Sequence, residues 1–241
     1  MLFRSYSERI VYLPDCYQAN DGARPIADKA PSRAEAGLPQ QGFVFCSFNN
    51  NYKLMPATFD IWMRILRAVD GSVLWLLEGN AAVARNLRRE AEARGVAAER
   101  LVFAPRIPPE RYLARYRTAD LFLDSLPYNA HTTGSDALRM GVPIVTCPGT
   151  SFAGRVAASL LEGVGLAELI AESLADYEAL AIRLAREPQT LAAIRAKLAR
   201  NLPSSPLFDT ARYARHLEAA FETMVRRHGQ GLPPESFAVA P

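Results

Sequence analysis

Lysine, histidine and cysteine are all scarce in this 241-residue chain. The three cysteines, Cys16, Cys46 and Cys147, are odd in number and far apart, so they make neither a disulfide framework nor a zinc-ligand spacing. A reducing, cytoplasmic setting is the expectation. His131, His216 and His228 are equally dispersed, and no metal site is expected. No apolar run reaches the ~20 residues that a membrane-spanning helix needs. The opening stretch to Asp15 interrupts its apolar residues with charges, unlike a signal peptide. A formal net charge of +3 makes no electrostatic case for a nucleic-acid or membrane partner. Only Lys29, Lys53 and Lys197 among the 28 basic residues are lysines, so each lysine is worth placing.

Several motifs are missing as well. There is no GxGxxG after the first strand, no GxxxxGK[ST], no GxSxG and no Asp-x-Asp pair of the kind that holds a sugar-nucleotide metal. No tandem repeat of fixed period is visible, the tetratricopeptide type included.

What is present is an ordinary globular composition, with 49% hydrophobic and 22% charged residues. At ~150 residues per domain the length corresponds to about one and a half domains. Phe43-Val-Phe-Cys-Ser-Phe48, bounded by Gly42 and an asparagine cluster, predicts a buried strand. Similar runs predict strands over 72–77, 100–104, 120–124 and 143–146, with a shorter sixth over 166–170. Helices are expected between them, over about 56–69, 80–94, 108–116, 132–140 and 151–162. Apolar strands alternating with helices imply an α/β fold with a parallel sheet covered on both faces. Right-handed crossovers then give a doubly wound, Rossmann-like lobe. In this reading residues 1–42 form an extended Pro/Gly-rich segment, 43–203 the lobe, 204–228 a terminal helix and 229–241 a disordered tail. The stripe Tyr213, Leu217, Phe221, Met224 and Val225 requires the terminal helix to pack on something.

Ligands of open parallel sheets bind beyond the carboxyl ends of the strands. That rule selects three loops. The richest is Asp124-Ser-Leu-Pro-Tyr-Asn-Ala-His-Thr-Thr-Gly-Ser-Asp136. Its His131, Thr132, Thr133 and Gly134 fall at a helix start, where unpaired amides and the helix dipole suit a phosphate. Gly134 would let a ligand approach the backbone, and Asp136 can accept from a ribose hydroxyl. The bland alternative is that Thr132 or Thr133 merely caps the helix. The loop after the first strand holds Asn50 and Lys53, and Lys53 is either a point charge for a diphosphate or a solvated loop residue. The third loop, Pro148-Gly-Thr-Ser-Phe-Ala-Gly-Arg155, offers Arg155 to a phosphate or to the far side of a cleft; a plain surface arginine is the alternative.

Leu123-Asp-Ser-Leu-Pro-Tyr-Asn-Ala-His-Thr-Thr-Gly-Ser-Asp-Ala-Leu138 closely resembles the signature of O-linked N-acetylglucosamine transferases and their SPINDLY-like relatives. So do Phe48-Asn-Asn-Asn-Tyr-Lys53, Ser72-Val-Leu-Trp-Leu-Leu77, Gly154-Arg-Val-Ala-Ala-Ser159 and Ser204-Ser-Pro-Leu-Phe-Asp209. Tyr12-Leu-Pro-Asp-Cys-Tyr17 resembles the segment joining the two catalytic halves of bacterial members.

The resemblance implies the C-terminal lobe of a GT-B glycosyltransferase. It implies inverting, metal-independent transfer from UDP-N-acetylglucosamine to Ser/Thr hydroxyls of a protein acceptor, with no cofactor. Carried over by position, Lys53 would stabilise the diphosphate leaving group, and His131, Thr132 and Thr133 would bind phosphates. Asp136 would hold the ribose, and the backbone around Ile107 would face uracil. Asn50 stands where relatives often have glutamine. Tyr112 stands where many have a histidine near the base. Two alternatives stay open: a half that uses GDP-fucose, as SPINDLY-like relatives can, and an inactive nucleotide-sugar-binding or interaction module. In either case the resemblance implies partners beyond this chain, namely an N-terminal catalytic lobe and a tetratricopeptide region.

Overall fold

A computed structural model describes residues 6–241. Its main sheet has five strands: β2 (Val44–Ser47), β3 (Val73–Leu77), β4 (Leu101–Ala104), β5 (Leu121–Leu123) and β6 (Ile144–Val145). All pair in parallel, in the order β4-β3-β2-β5-β6. Every residue of β2, β3 and β5 is buried, which explains why these strands read as continuous apolar runs rather than alternating ones. The winding turns round between β2 and β5, so the loops after these two strands flank the switch point where α/β sheets open a crevice.

The helices are α1 (Pro56–Ala68), α2 (Ala81–Glu92), α3 (Pro109–Arg115), α4 (Thr132–Arg139), α5 (Val156–Gly163), α6 (Leu174–Arg186), α7 (Pro188–Asn201) and α8 (Thr210–Gly229). Pro56 opens α1 at the position where a missing amide hydrogen costs nothing. Phe59, Trp62, Ile65 and Leu66 of α1 enter the core, each side chain worth ~1.5–3 kcal/mol of burial. Trp62 donates to the Tyr177 hydroxyl of α6, and Tyr177 donates to the Asp124 carbonyl, so this polar chain runs from α1 through α6 to the end of β5.

Four expectations change. Residues 166–170 do not form a strand. Leu166 and Leu169 are buried three apart in a 3-10 turn after Gly165 (φ 71°), and only the Thr146–Ile170 bridge touches the sheet. The helix expected from 151 begins at Val156, because Ser151 to Arg155 are used in a turn in which the Gly149 amide donates to the Gly154 carbonyl. The tail expected to be disordered pairs instead: β7 (Phe237–Ala238) lies parallel to β1 (Val11–Tyr12). The terminal helix begins at Thr210, after two 3-10 turns over 202–208. Its apolar stripe stays largely uncovered, with Phe221 and Val225 more than half exposed.

Residues 6–43 contain no helix, in keeping with their prolines and glycines. They do not trail away from the lobe. Arg24 pairs with Asp136, Arg139 donates to the Gly22 and Arg24 carbonyls, and Arg117 reaches the carbonyls of Ala27 and Asp28. Gly42 shows why this join needs glycine. Its φ is 102°, and a β-carbon there would strike the Gly71 carbonyl oxygen.

Candidate functional site

Lys53, His131 and the start of α4 come together at the β2/β5 switch point. Lys53 ends a 3-10 turn over Asn51–Lys53 and is half-buried. Its ammonium donates to the Asn129 carbonyl at 3.0 Å and lies 3.9 Å from the centre of the Tyr128 ring. Burial holds its pKa below the ordinary lysine range, while the Asp124 charge acts the other way. The lysine is therefore a placed charge and not a solvated one.

His131 is the N-cap of α4, with non-helical backbone and no capping bond from its side chain. The Tyr17 hydroxyl sits 2.7 Å from Nδ1, and Nε2 lies 3.4 Å from the Ala153 carbonyl. Burial holds the imidazole pKa below its ordinary value, and it pushes the Tyr17 phenol up to about 12. A protonated phenol beside a neutral ring donates to Nδ1, which leaves the proton of the ring on Nε2. Tyr128 stacks on the imidazole and Tyr17 meets it edge-on.

Neither threonine caps the helix. The Thr133 hydroxyl donates to Asn49 Oδ1, while Asn49 Nδ2 donates to Ser125 Oγ, which ties the two switch-point loops together. The Thr132 side chain is exposed, and among the described residues its hydroxyl has no partner. The Gly134 and Ser135 amides return to the His131 carbonyl, while among the described residues the Thr132 and Thr133 amides have no acceptor, and such unpaired amides at a helix start suit an anion.

Other predicted residues fall differently. Asp136 does not present a free carboxylate: it is buried and ion-paired with Arg24. Gly134 faces inward, where a β-carbon would crowd Leu160, Ala130 and Ile144, so its small size serves helix packing and not ligand approach. Asn50 is exposed, with Arg106 3.5 Å from its side-chain oxygen. Ile107 is half-buried in the loop after β4. The Tyr112 hydroxyl is committed to Tyr116, which in turn donates to the Thr133 carbonyl. Arg155 is exposed and has no ion pair among the described residues. It lines an open cleft of about 960 Å³ together with Tyr17, Phe152 and Glu162.

Three contributors were not anticipated from sequence. Tyr17 and Asn49 carry no local signal, since they act through partners 114 and 84 residues away. Arg115 is buried against Phe48 and Tyr112, donates to the Pro105 carbonyl and keeps Nη1 unpartnered. A buried cation beside the loop of Ile107 was signalled only by an arginine among apolar helix positions. Among the described residues, no three His, Cys, Asp or Glu side chains gather as a metal site requires.

The sequence profile described as glycosyl transferase family 41 matches residues 17–217. The chain belongs to that family. A relative from Arabidopsis thaliana, a probable UDP-N-acetylglucosamine–peptide N-acetylglucosaminyltransferase SEC, is 38% identical over 240 residues, 97% of this chain and 25% of its own length. A probable enzyme of the same description, SPINDLY from Petunia hybrida, is 35% identical over 239 residues, covering 96% of this chain and 25% of its own. A solved O-GlcNAc transferase mutant from Thermobaculum terrenum superposes with a TM-score of 0.76 at 34% identity, over 90% of this chain and 40% of that one. The GT-B type of lobe expected from sequence is thus the one observed. The chain spans about a quarter of the length of these curated relatives. No helix among the described residues is long and apolar enough to cross a membrane.

Proposed function

We propose that this chain is the nucleotide-sugar-binding lobe of a protein O-glycosyltransferase whose donor is UDP-N-acetylglucosamine. The observation that carries the reading is the convergence of the Lys53 ammonium, the His131 imidazole and the open amides of α4 on one switch point. In this reading the diphosphate lies on the α4 amides and the Thr132 hydroxyl, within reach of Lys53. The acceptor hydroxyl attacks the anomeric carbon as the bond to the diphosphate oxygen breaks, with inversion. Lys53 and the helix start meet the charge that develops on the leaving group, without a resident metal. The base would sit by the loop of Ile107, near Tyr112 and the spare Arg115 donor, with Asn50 at the rim. Asp136 would reach the ribose only after releasing Arg24. The group that takes the acceptor proton, and the acceptor site itself, would belong to the additional length that the relatives have.

Calorimetry with UDP, GDP and uridine tests this. UDP should bind in preference to GDP, and uridine should bind much more weakly than UDP. Preference for GDP would overturn the donor, and absence of binding by any of the three would overturn the site. Transfer of labelled sugar to a test peptide, with and without a separately supplied N-terminal lobe, measures whether the lobe is active alone; the expectation is that it is not.

A further inference from the structure

The carboxylate of Asp124 is fully buried beneath the phosphate-facing loop, and the reading above gives it no task. Its Oδ1 accepts from two backbone amides, Ser125 at 2.8 Å and Ala130 at 2.6 Å, which lie at the two ends of the loop. Its Oδ2 accepts from the Thr146 hydroxyl at 2.7 Å, beyond β6. The loop closed in this way carries the Asn129 carbonyl and the Tyr128 ring, and these are the two groups that hold Lys53. A buried charge costs stability unless something demands it, and hydrogen-bonding geometry alone could be met by a neutral group.

We propose that Asp124 is a positioning residue for donor binding: it fixes the loop that aims Lys53, and it serves as counter-ion of the lysine across the Asn129–Ala130 peptide, whose carbonyl accepts from Lys53 and whose amide donates to Asp124. This rests on the assignment of Lys53 to the diphosphate. The groups facing the pair are Tyr128 and His131 around Lys53, and Thr146 and Tyr177 around Asp124. Above about pH 7 the carboxylate is charged, and it then opposes the burial that favours loss of the Lys53 proton. The two roles are separable. In Asp124→Asn the amide oxygen can keep both backbone donors and the amide nitrogen can donate to the Thr146 oxygen, so the shape survives and only the charge is lost. Asp124→Ala loses both.

The shortage of lysine makes the test clean. Reductive methylation with labelled formaldehyde gives NMR signals from Lys29, Lys53 and Lys197 and the amino terminus, with Lys53→Arg assigning its own. In Asp124→Asn the Lys53 signal should titrate at lower pH than in the unsubstituted chain, with Lys29 and Lys197 unmoved. The alkaline fall in UDP affinity should move to lower pH with it. Asp124→Ala should weaken UDP at least tenfold at every pH while uridine changes little. An unmoved Lys53 titration in a folded Asp124→Asn would overturn the counter-ion role, and unchanged UDP affinity in a folded Asp124→Ala would overturn the positioning role. If the unsubstituted chain binds no UDP, the donor reading fails, whereas the lysine titration still decides the counter-ion.

Discussion

Two helices of this lobe start in the same way and are supported in opposite ways. α4 and α5 each have eight residues, each follows a strand and a loop, and neither has a side-chain cap. Beneath α4, the 124–131 loop is fastened from within by Asp124, Ser125, Asn49 and Thr133. Beneath α5, the 148–155 loop holds its shape with backbone turns and one serine, and exposes Phe152 and Arg155. A helix start alone presents the same dipole in both places. The difference lies in whether charge and donors are held still before a ligand arrives, and that condition favours the α4 site.

The largest effect separating the two loops is expected in stability against pH. Burial pushes the Asp124 carboxyl from its ordinary 3.8 up to about 7, which corresponds to on the order of 4 kcal/mol. The folded state therefore holds a proton that the unfolded state has released between these values, so this group contributes stability at low pH that is lost as pH rises toward 7. Asp124→Asn has no such dependence. Thermal melting should show the variant gaining on the unsubstituted chain as pH rises from 4 to 8, and a constant gap over that range would contradict the buried charge.

Next in size is the diphosphate contact. Lys53→Ala should weaken UDP by ~1.5–3 kcal/mol, the range for a hydrogen bond to a charged group. Uridine binding should change little, and equal losses for the two ligands in calorimetry would remove Lys53 from the phosphate. Thr133→Val comes third. It leaves Asn49 Oδ1 without its donor and should cost ~1 kcal/mol in denaturant unfolding. UDP affinity should also fall if the tie between the switch-point loops positions α4, and unaltered affinity would make the tie a matter of stability alone.

How much of this could be read in advance depends on the range of each interaction. The five main strands were legible because strands buried on both faces must be apolar throughout, and the sheet covers them so. The segment 166–170 has the same apolar content, but Gly165 and the three-residue spacing of Leu166 and Leu169 turn it into a 3-10 turn. Lys53 and His131 could be singled out from rarity and from position after a strand. Their partners could not be, since Tyr17 and Asn129 reach them across 114 and 76 residues. The partner of Asp136 was hidden for the same reason: no local pattern announces that Arg24, 112 residues earlier, pairs with it. The tail after Gly229 looked unable to fold because its strand partner, Val11–Tyr12, lies at the other end of the chain.

The smallest effect tests the other side of the comparison. Arg155 stands where a helix start and an open cleft invite an anion, yet its side chain is exposed and no ion pair among the described residues fixes it. A flexible, exposed charge interacts with a ligand through water and loses side-chain entropy on binding, so its net contribution is ~0–1 kcal/mol. Arg155→Gln should therefore change UDP affinity of this chain by less than about 0.5 kcal/mol and leave melting unaltered. Raising salt should erase even that difference, because an exposed charge is screened over ~8–10 Å while a half-buried lysine on its carbonyl is screened much less. If Arg155→Gln instead matches Lys53→Ala, prior fixation from beneath is not what distinguishes the two helix starts, and the donor lies across both.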